Sequence, residues 1–195
     1  MSFFLSRNKA PKAGSIFIVL LCFGCTNLFF QPSRDFYDNP NLSHFAYEEV
    51  LCTTQDGYKL HGWFLHGRGE HKGVVLFFHG NAGNISSHVN GVLWLAAAGF
   101  DVFVFDYRGY GRSEGRPSID GVHQDGEAEL KYIAGQPAFA KEKIIIFGQS
   151  LGGAIAIYTA AHWQDKNRIA AVVADSAFSS YRLIAREKLR GYSHH

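Results

Sequence analysis

Phe147-Gly148-Gln149-Ser150-Leu151-Gly152-Gly153 is the stretch that decides the fold of this chain. It ends a short apolar run and leads directly into a segment rich in Ala and Ile. A G-x-S-x-G sequence between a strand and a helix predicts a sharp turn that holds the serine hydroxyl above the end of a sheet. Ser150 is therefore a candidate nucleophile. The alternative is a serine that only caps the helix that follows it.

The segments around this turn predict an α/β fold. Two strand-like stretches joined by a turn with Asp56-Gly57 predict an antiparallel hairpin; they are Phe45 to Thr54 and Lys59 to His66. Four short runs that are apolar on both faces predict buried parallel strands; they are Gly73 to Phe78, Asp101 to Phe105, Lys143 to Phe147 and Ile169 to Ala174. The predicted helices are Ile85 to Ala98, Ile119 to Ala134, Leu151 to Trp163 and Ser179 to Arg190. We expect a mostly parallel sheet flanked by helices.

A second motif, His79-Gly80-Asn81-Ala82-Gly83-Asn84, follows the first predicted parallel strand. In sheets of this kind ligands bind at the carboxyl ends of the strands. The backbone N–H groups of Asn81 and Leu151 are the candidate donors of an oxyanion hole. We expect His79 to order the turn by hydrogen bonding and not to act as a base. The alternative is an ordinary turn between strand and helix.

Three motifs together carry a resemblance to a known family. They are HGNAGN (residues 79–84), DYRGYGRSEG (residues 106–115) and GQSLGG (residues 148–153). The chain resembles the α/β-hydrolase superfamily, and within it the membrane-tethered serine hydrolases related to lysophospholipases and protein depalmitoylases. The resemblance covers residues 45 to about 185. It implies the α/β-hydrolase fold and an ester or thioester substrate, either a small molecule or an acyl lipid. It also implies that Asp106 and Arg108 brace the oxyanion turn. No metal or organic cofactor is implied.

The catalytic acid and base are harder to assign. In this family the chain order is Ser, then Asp or Glu, then His, and the residues after Ser150 leave room for one strand and one helix. The resemblance therefore implies a fold that lacks its last two strands. Asp175 is the candidate acid, with a loop-capping carboxylate as the alternative, whereas His162, His194 and His195 are not credible bases. Two functions stay open: a serine hydrolase, and a catalytically inactive truncated remnant or binding scaffold. An exposed edge on the last strand would favour self-association.

The N-terminus predicts export and membrane attachment. A basic stretch precedes the apolar run Ser15 to Gly24, which is too short for a comfortable membrane span. Residues 1–24 are predicted to be a signal peptide or an anchor, residues 25–44 a linker, and residues 45–195 the hydrolase domain. Gly24-Cys25 resembles a bacterial lipoprotein signal, which implies lipidation at Cys25 outside the cytoplasm. The alternative is an uncleaved signal anchor.

Composition excludes several other classes of protein. The 195 residues are 47% hydrophobic and 18% charged, which is typical of a globular domain. Lys and Arg total 19 against 17 acidic residues, and three of the basic ones precede the apolar run, so no basic surface for nucleic acid is predicted. Three cysteines are too few for a disulfide scaffold, and no spacing resembles a zinc site. The sequence GYGRSE has Glu114 where a dinucleotide-binding motif has its third glycine.

Overall fold

A six-stranded sheet forms the centre of the part of the chain that the structure describes. That part is residues 30–39 and 41–181 of a computed structural model. The strands are β1 (Gln31–Pro32), β2 (Tyr47–Thr53), β3 (Lys59–Leu65), β4 (Gly73–Phe78), β5 (Ala82–Gly83), β6 (Phe100–Phe105), β7 (Ile144–Gln149) and β8 (Ile169–Asp175). The sheet order is β2-β3-β6-β4-β7-β8, while β1 and β5 form a separate two-stranded parallel pair.

The pairing confirms the predicted mixture of strand directions. β2 and β3 form the antiparallel hairpin, with Thr53 opposite Lys59 at its closed end. Gly57 in that turn has a φ of +90°, a conformation that glycine adopts without strain. β3 is also antiparallel to β6, whereas β6, β4, β7 and β8 run parallel. The described sheet is therefore mostly parallel, and its parallel strands all end at one edge.

Alternating residues of the central strands face two separate cores, which explains why these strands are continuously apolar. On β4, Val74, Leu76 and Phe78 belong to one buried cluster, and Val75 and Phe77 belong to the other. A strand covered on both faces by helices needs apolar residues at every position.

Four α-helices cover the two faces of the sheet within the described residues. They are α1 (Ile85–His88), α2 (Leu93–Ala97), α3 (Ile119–Ala134) and α4 (Leu151–His162), with short 3-10 turns at Leu42–His44, Val89–Gly91, Pro137–Phe139 and Lys166–Arg168. α3 and α4 contribute to the first core, and α1 and α2 to the second.

The prediction of one continuous helix over Ile85 to Ala98 is wrong. The 3-10 turn Val89–Gly91 separates α1 from α2, and Val92 has a non-helical φ of −124° and ψ of −3°. Glycine costs about 1 kcal/mol relative to alanine inside a helix, so Asn90-Gly91 is a weak point. The apolar side chains on both sides of this break, Val89 and Val92, are still fully buried.

Residues 30–39, predicted as part of a linker, pack against the domain. β1 pairs with β5 in the HGNAGN turn, and the Phe30 side chain is only 3% exposed within the first core. Residues 1–24, Cys25, His194, His195 and most of the predicted helix Ser179 to Arg190 lie outside the described residues. Among the helices that the structure does describe, none is long and apolar enough to cross a membrane.

The strand β8 is an edge of the described sheet, and it is largely exposed. Val172 and Val173 are 41% and 46% exposed. β8 pairs with β7 from Ile144 opposite Ile169 to Gln149 opposite Asp175, with one irregularity in register near its start. Self-association through this edge stays a prediction.

Candidate active site

Ser150 lies between the last residue of β7 and the first residue of α4, in a strained backbone conformation. Its φ is +52° and its ψ is −114°. A non-glycine residue in a sparsely populated region costs on the order of 1–3 kcal/mol and is found mostly at functional sites. Ser150 occupies the N-cap position of α4, yet its side chain makes no capping hydrogen bond. The structure therefore does not use this hydroxyl as a helix cap.

Close backbone contacts explain the glycines around Ser150. A Cβ atom added to Gly152 would lie 2.0 Å from the carbonyl oxygen of Phe78 and 2.5 Å from that of His79. A Cβ atom added to Gly148 would lie 2.3 Å from the carbonyl oxygen of Gly152. Real Cβ atoms do not approach backbone so closely, so only glycine fits at either position. The same contacts bring the start of α4 directly against the end of β4, where the HGNAGN turn begins.

The two predicted oxyanion donors are the backbone N–H groups of Asn81 and Leu151, and both are unpaired within residues 30–39 and 41–181. Among the described residues, neither the Asn81 N–H nor the Leu151 N–H donates to another protein group. Leu151 is the first residue of α4, where unpaired N–H groups favour negative charge. The rest of Asn81 is well held, because the Tyr110 hydroxyl donates to its carbonyl oxygen at 2.8 Å.

His79 orders the HGNAGN turn from inside the protein. Its ring is fully buried, and Nδ1 donates to the carbonyl oxygen of Gly80 at 2.7 Å. Burial, with a smaller effect of His88, lowers the pKa of His79 to about 3. The ring is therefore neutral near pH 7. It stacks against the His88 ring with centroids 5.0 Å apart.

Of the two residues expected to brace the turn, only Asp106 does so. Asp106 is buried next to it: Oδ1 accepts from the N–H of Ile85 at 2.8 Å and lies 3.5 Å from His79 Nε2. Burial raises the pKa of Asp106 above its usual value. The expectation for Arg108 is wrong, because its guanidinium binds Asp125 on α3 and Asp56 in the β2–β3 turn, each at 2.8 Å.

Asp175, the candidate acid, touches Ser150 through the backbone only. The Ser150 N–H donates to the carbonyl oxygen of Asp175 at 2.8 Å. The Asp175 carboxylate is exposed and accepts from the Ser176 hydroxyl at 2.9 Å. Within the described chain, no histidine forms a hydrogen bond or ion pair with Asp175 or with the hydroxyl of Ser150.

His162 is confirmed to lie away from the turn. It is the last residue of α4, which places it about 18 Å along the helix axis from Ser150 at 1.5 Å per residue. Its Nδ1 donates to the carbonyl oxygen of Tyr158 at 2.9 Å. A cavity of about 770 Å³ lies at this far end of α4, between β2 and α3. The described residues contain no cluster of three His, Cys, Asp or Glu side chains that could hold a metal ion.

Sequence reasoning missed two contributors to the site, Tyr110 and the segment before β2. The Gln31 N–H donates to Oδ1 of Asn81 at 3.0 Å. The signals that could have indicated this packing are the phenylalanines Phe30 and Phe36 in a stretch otherwise rich in polar residues. Both pack against the two cores.

The fold and this turn define the class of protein. A family model described as alpha/beta hydrolase fold matches residues 73–193. The chain belongs to the α/β-hydrolase family.

Particular relatives and solved structures agree with this assignment. The chain is 35% identical to "Uncharacterized protein YfhR" of Salmonella typhi over 193 residues, which cover 90% of this chain and 65% of that protein. It is 32% identical to "Uncharacterized membrane protein YNL320W" of Saccharomyces cerevisiae, over 79% of this chain and 54% of that one. The structure of the Pyrococcus furiosus esterase Pf2001 matches with a TM-score of 0.63 and 27% identity, over 75% of this chain and 58% of that one. The chain thus spans about two thirds of the bacterial relative and about half of the yeast one.

Proposed function

We propose that this protein is a serine hydrolase that cleaves an ester or thioester, with Ser150 as the nucleophile. The observation that carries the proposal is the strained backbone of Ser150, whose hydroxyl is not used to cap α4. Backbone strain of this kind persists only where the surrounding structure enforces it. Membership of the α/β-hydrolase family and the likeness to an esterase support the same conclusion.

In the proposed reaction, Oγ of Ser150 attacks the carbonyl carbon of the acyl group. Charge develops on the carbonyl oxygen, and the N–H groups of Asn81 and Leu151 stabilise it. Loss of one such donor typically costs about 3–4 kcal/mol of barrier in serine hydrolases. The alcohol or thiol then leaves with the proton that Ser150 gives up. Water hydrolyses the acyl-enzyme, which releases the carboxylic acid and returns a proton to Oγ of Ser150. Asp175 is the proposed acid, because it ends the strand next to β7, opposite Gln149 and so beside Ser150.

The lack of a base beside Ser150 among the described residues favours a second candidate function, that of a non-catalytic acyl-binding scaffold. A serine nucleophile needs a base that removes its proton. None of the described histidines forms a hydrogen bond or ion pair with Ser150. A protein of this second kind would bind an acyl compound in the same turn without forming a covalent bond to the serine.

Labelling with a fluorophosphonate separates the two functions. The full chain is incubated with the reagent, and its intact mass is measured. We expect one adduct on the wild type, none on Ser150→Ala, and an unchanged adduct on the matched control Ser179→Ala, whose side chain is exposed. Absence of an adduct on folded wild-type protein would rule out an activated serine and favour the scaffold.

We also propose that the N-terminal segment attaches the protein to a membrane, with lipid on Cys25. The basic stretch, the apolar run and Gly24-Cys25 in the sequence support this. A yeast relative is named as a membrane protein. Expression in bacteria with an alkyne fatty acid should label the wild type and leave Cys25→Ser unlabelled, whereas Cys52→Ser should retain the label because Cys52 is buried in the domain. Label that survives in Cys25→Ser would refute lipidation at this residue.

A further inference from the structure

Residues 30–39, which we call the strap, lie along the HGNAGN turn and bind it at several successive positions. The Gln31 N–H donates to Oδ1 of Asn81 at 3.0 Å, and the Ser33 N–H donates to the carbonyl oxygen of Gly83 at 3.0 Å. In the other direction, Nδ2 of Asn84 donates to the carbonyl oxygens of Ser33 at 3.1 Å and Asp35 at 2.6 Å. The turn is therefore bound along its length by a segment about fifty positions away in sequence.

The strap is fixed in turn to the rest of the domain. Nη1 of Arg34 donates to the carbonyl oxygens of Ser113 at 2.9 Å and Gly111 at 3.2 Å. The Gly111 N–H donates back to the carbonyl oxygen of Ser33 at 2.9 Å. At the other end of the strap, Phe30 is buried in the core cluster that also contains Leu151. These contacts connect the strap to the loop after β6 and to the start of α4.

Asn81 is held from two sides, by the strap and by Tyr110. The Gln31 N–H binds its side chain, and the Tyr110 hydroxyl binds its carbonyl oxygen. Its own N–H has no acceptor within the described part of the chain. Gly80 directly precedes Asn81, and Gly83, two positions after it, has a φ of +82°. A turn of this composition has little intrinsic rigidity. Stabilisation of an oxyanion requires a donor that is already in position before the reaction.

We propose that the strap is a positioning element for the oxyanion donor, in which Arg34 and Gln31 hold the N–H of Asn81 in its reactive orientation. This inference rests on the proposed function of the turn. The strap residues do not touch the reacting atoms in this scheme. They act through Asn81.

The test compares Arg34→Ala with Arg168→Ala in the full chain. Arg168 is a matched control because it also donates to backbone carbonyl oxygens, those of Glu142, Ala134 and Phe139, far from the turn. Two readouts are measured, the fluorophosphonate labelling rate of Ser150 and the hydrogen–deuterium exchange of residues 83–87. Labelling is resolved into the maximal rate and the reagent concentration at half that rate.

We expect Arg34→Ala to lower the maximal labelling rate about tenfold. This is less than the roughly 10²–10³-fold loss of reaction rate that follows removal of an oxyanion donor. The half-saturating concentration should change less than twofold, and exchange of residues 83–87 should become faster. Arg34→Lys retains a donor and should restore part of the rate, and it serves as the test variant if Arg34→Ala does not fold. Arg168→Ala should change neither readout.

Three results would overturn the positioning role: unchanged exchange in Arg34→Ala, an unchanged maximal rate, or equal effects in Arg168→Ala. A wild-type protein that is not labelled at all refutes the proposed function instead. In that case the exchange of residues 83–87 still decides whether the strap fixes the turn, because that measurement does not depend on chemistry at Ser150.

Discussion

His79 shows how burial determines what a side chain can do. Its position beside the turn is that of a plausible base, but the ring is fully enclosed and its Nδ1 is already used by Gly80. Desolvation disfavours the charged form, and the pKa of His79 falls to about 3. A general base has to bind a proton at the working pH, and a ring with so low a pKa does not. The role of His79 is therefore to order the turn by its hydrogen bond to Gly80.

The pH dependence of stability tests this description of His79. The unfolded chain binds a proton at His79 near pH 6.5, whereas the folded chain does so only near pH 3. The stability that depends on neutral His79 is therefore complete above pH 6.5 and is lost as the pH falls from 6.5 towards 3, at up to about 1.4 kcal/mol per pH unit.

His79→Asn has an amide that can still donate to Gly80. We expect the stability difference between wild type and His79→Asn, from urea unfolding, to shrink by about 2–3 kcal/mol between pH 7 and pH 4.5. A difference that does not change with pH would contradict a neutral, buried ring.

At the scale of the elements, Arg108 joins three parts of the chain. Its own backbone N–H and Nε both bind the Asp125 carboxylate on α3, while Nη1 and Nη2 bind Asp56 in the β2–β3 turn. Both Arg108 and Asp125 are buried. Burial raises the pKa of Asp125 to about 6, although the contacts with Arg108 act against that rise.

Removal of Arg108 would leave the Asp125 carboxylate buried and unpaired. Breaking a buried ion pair from one side typically costs about 3–5 kcal/mol. We expect Arg108→Ala to lose roughly that much free energy of unfolding in urea. The matched control is Arg112→Ala, whose ion pair with Glu49 is more than half exposed on both sides and should cost less than about 1 kcal/mol. Equal losses in the two variants would show that the Arg108 network is not a structural joint.

Some elements could be predicted from local sequence and others could not. The apolar runs of β4, β6 and β7 are visible because each large apolar residue of these strands packs in one core or the other. The break between α1 and α2 escaped prediction because the apolar spacing continues through Asn90-Gly91. The strap escaped prediction because its few apolar residues show no regular spacing, and its hydrogen bonds join backbone groups and polar side chains in a way that has no sequence pattern.

At the scale of the whole molecule, the parts of the site that follow directly from the sheet could be predicted, and the parts that depend on distant segments could not. Ser150 and the two candidate oxyanion donors follow strands directly, and parallel strands bring their carboxyl ends to one edge, so their proximity follows from the fold. A catalytic acid and base come from segments far from Ser150 in the sequence. Their separation along the chain does not predict where their side chains lie relative to the serine. Asp175 is an example: its strand ends beside Ser150, yet its carboxylate binds Ser176.

The strap fixes the chain to the domain only a few residues after Cys25. Phe30 is anchored in the core, and Cys25 is only five positions earlier in the sequence. An extended chain spans at most about 3.6 Å per residue, so five residues reach roughly 18 Å. With lipid on Cys25, as proposed, the strap would hold the HGNAGN turn close to the bilayer surface. For the proposed hydrolase, tethering at such a distance would raise the local concentration of membrane-borne esters at Ser150 above that of dissolved ones.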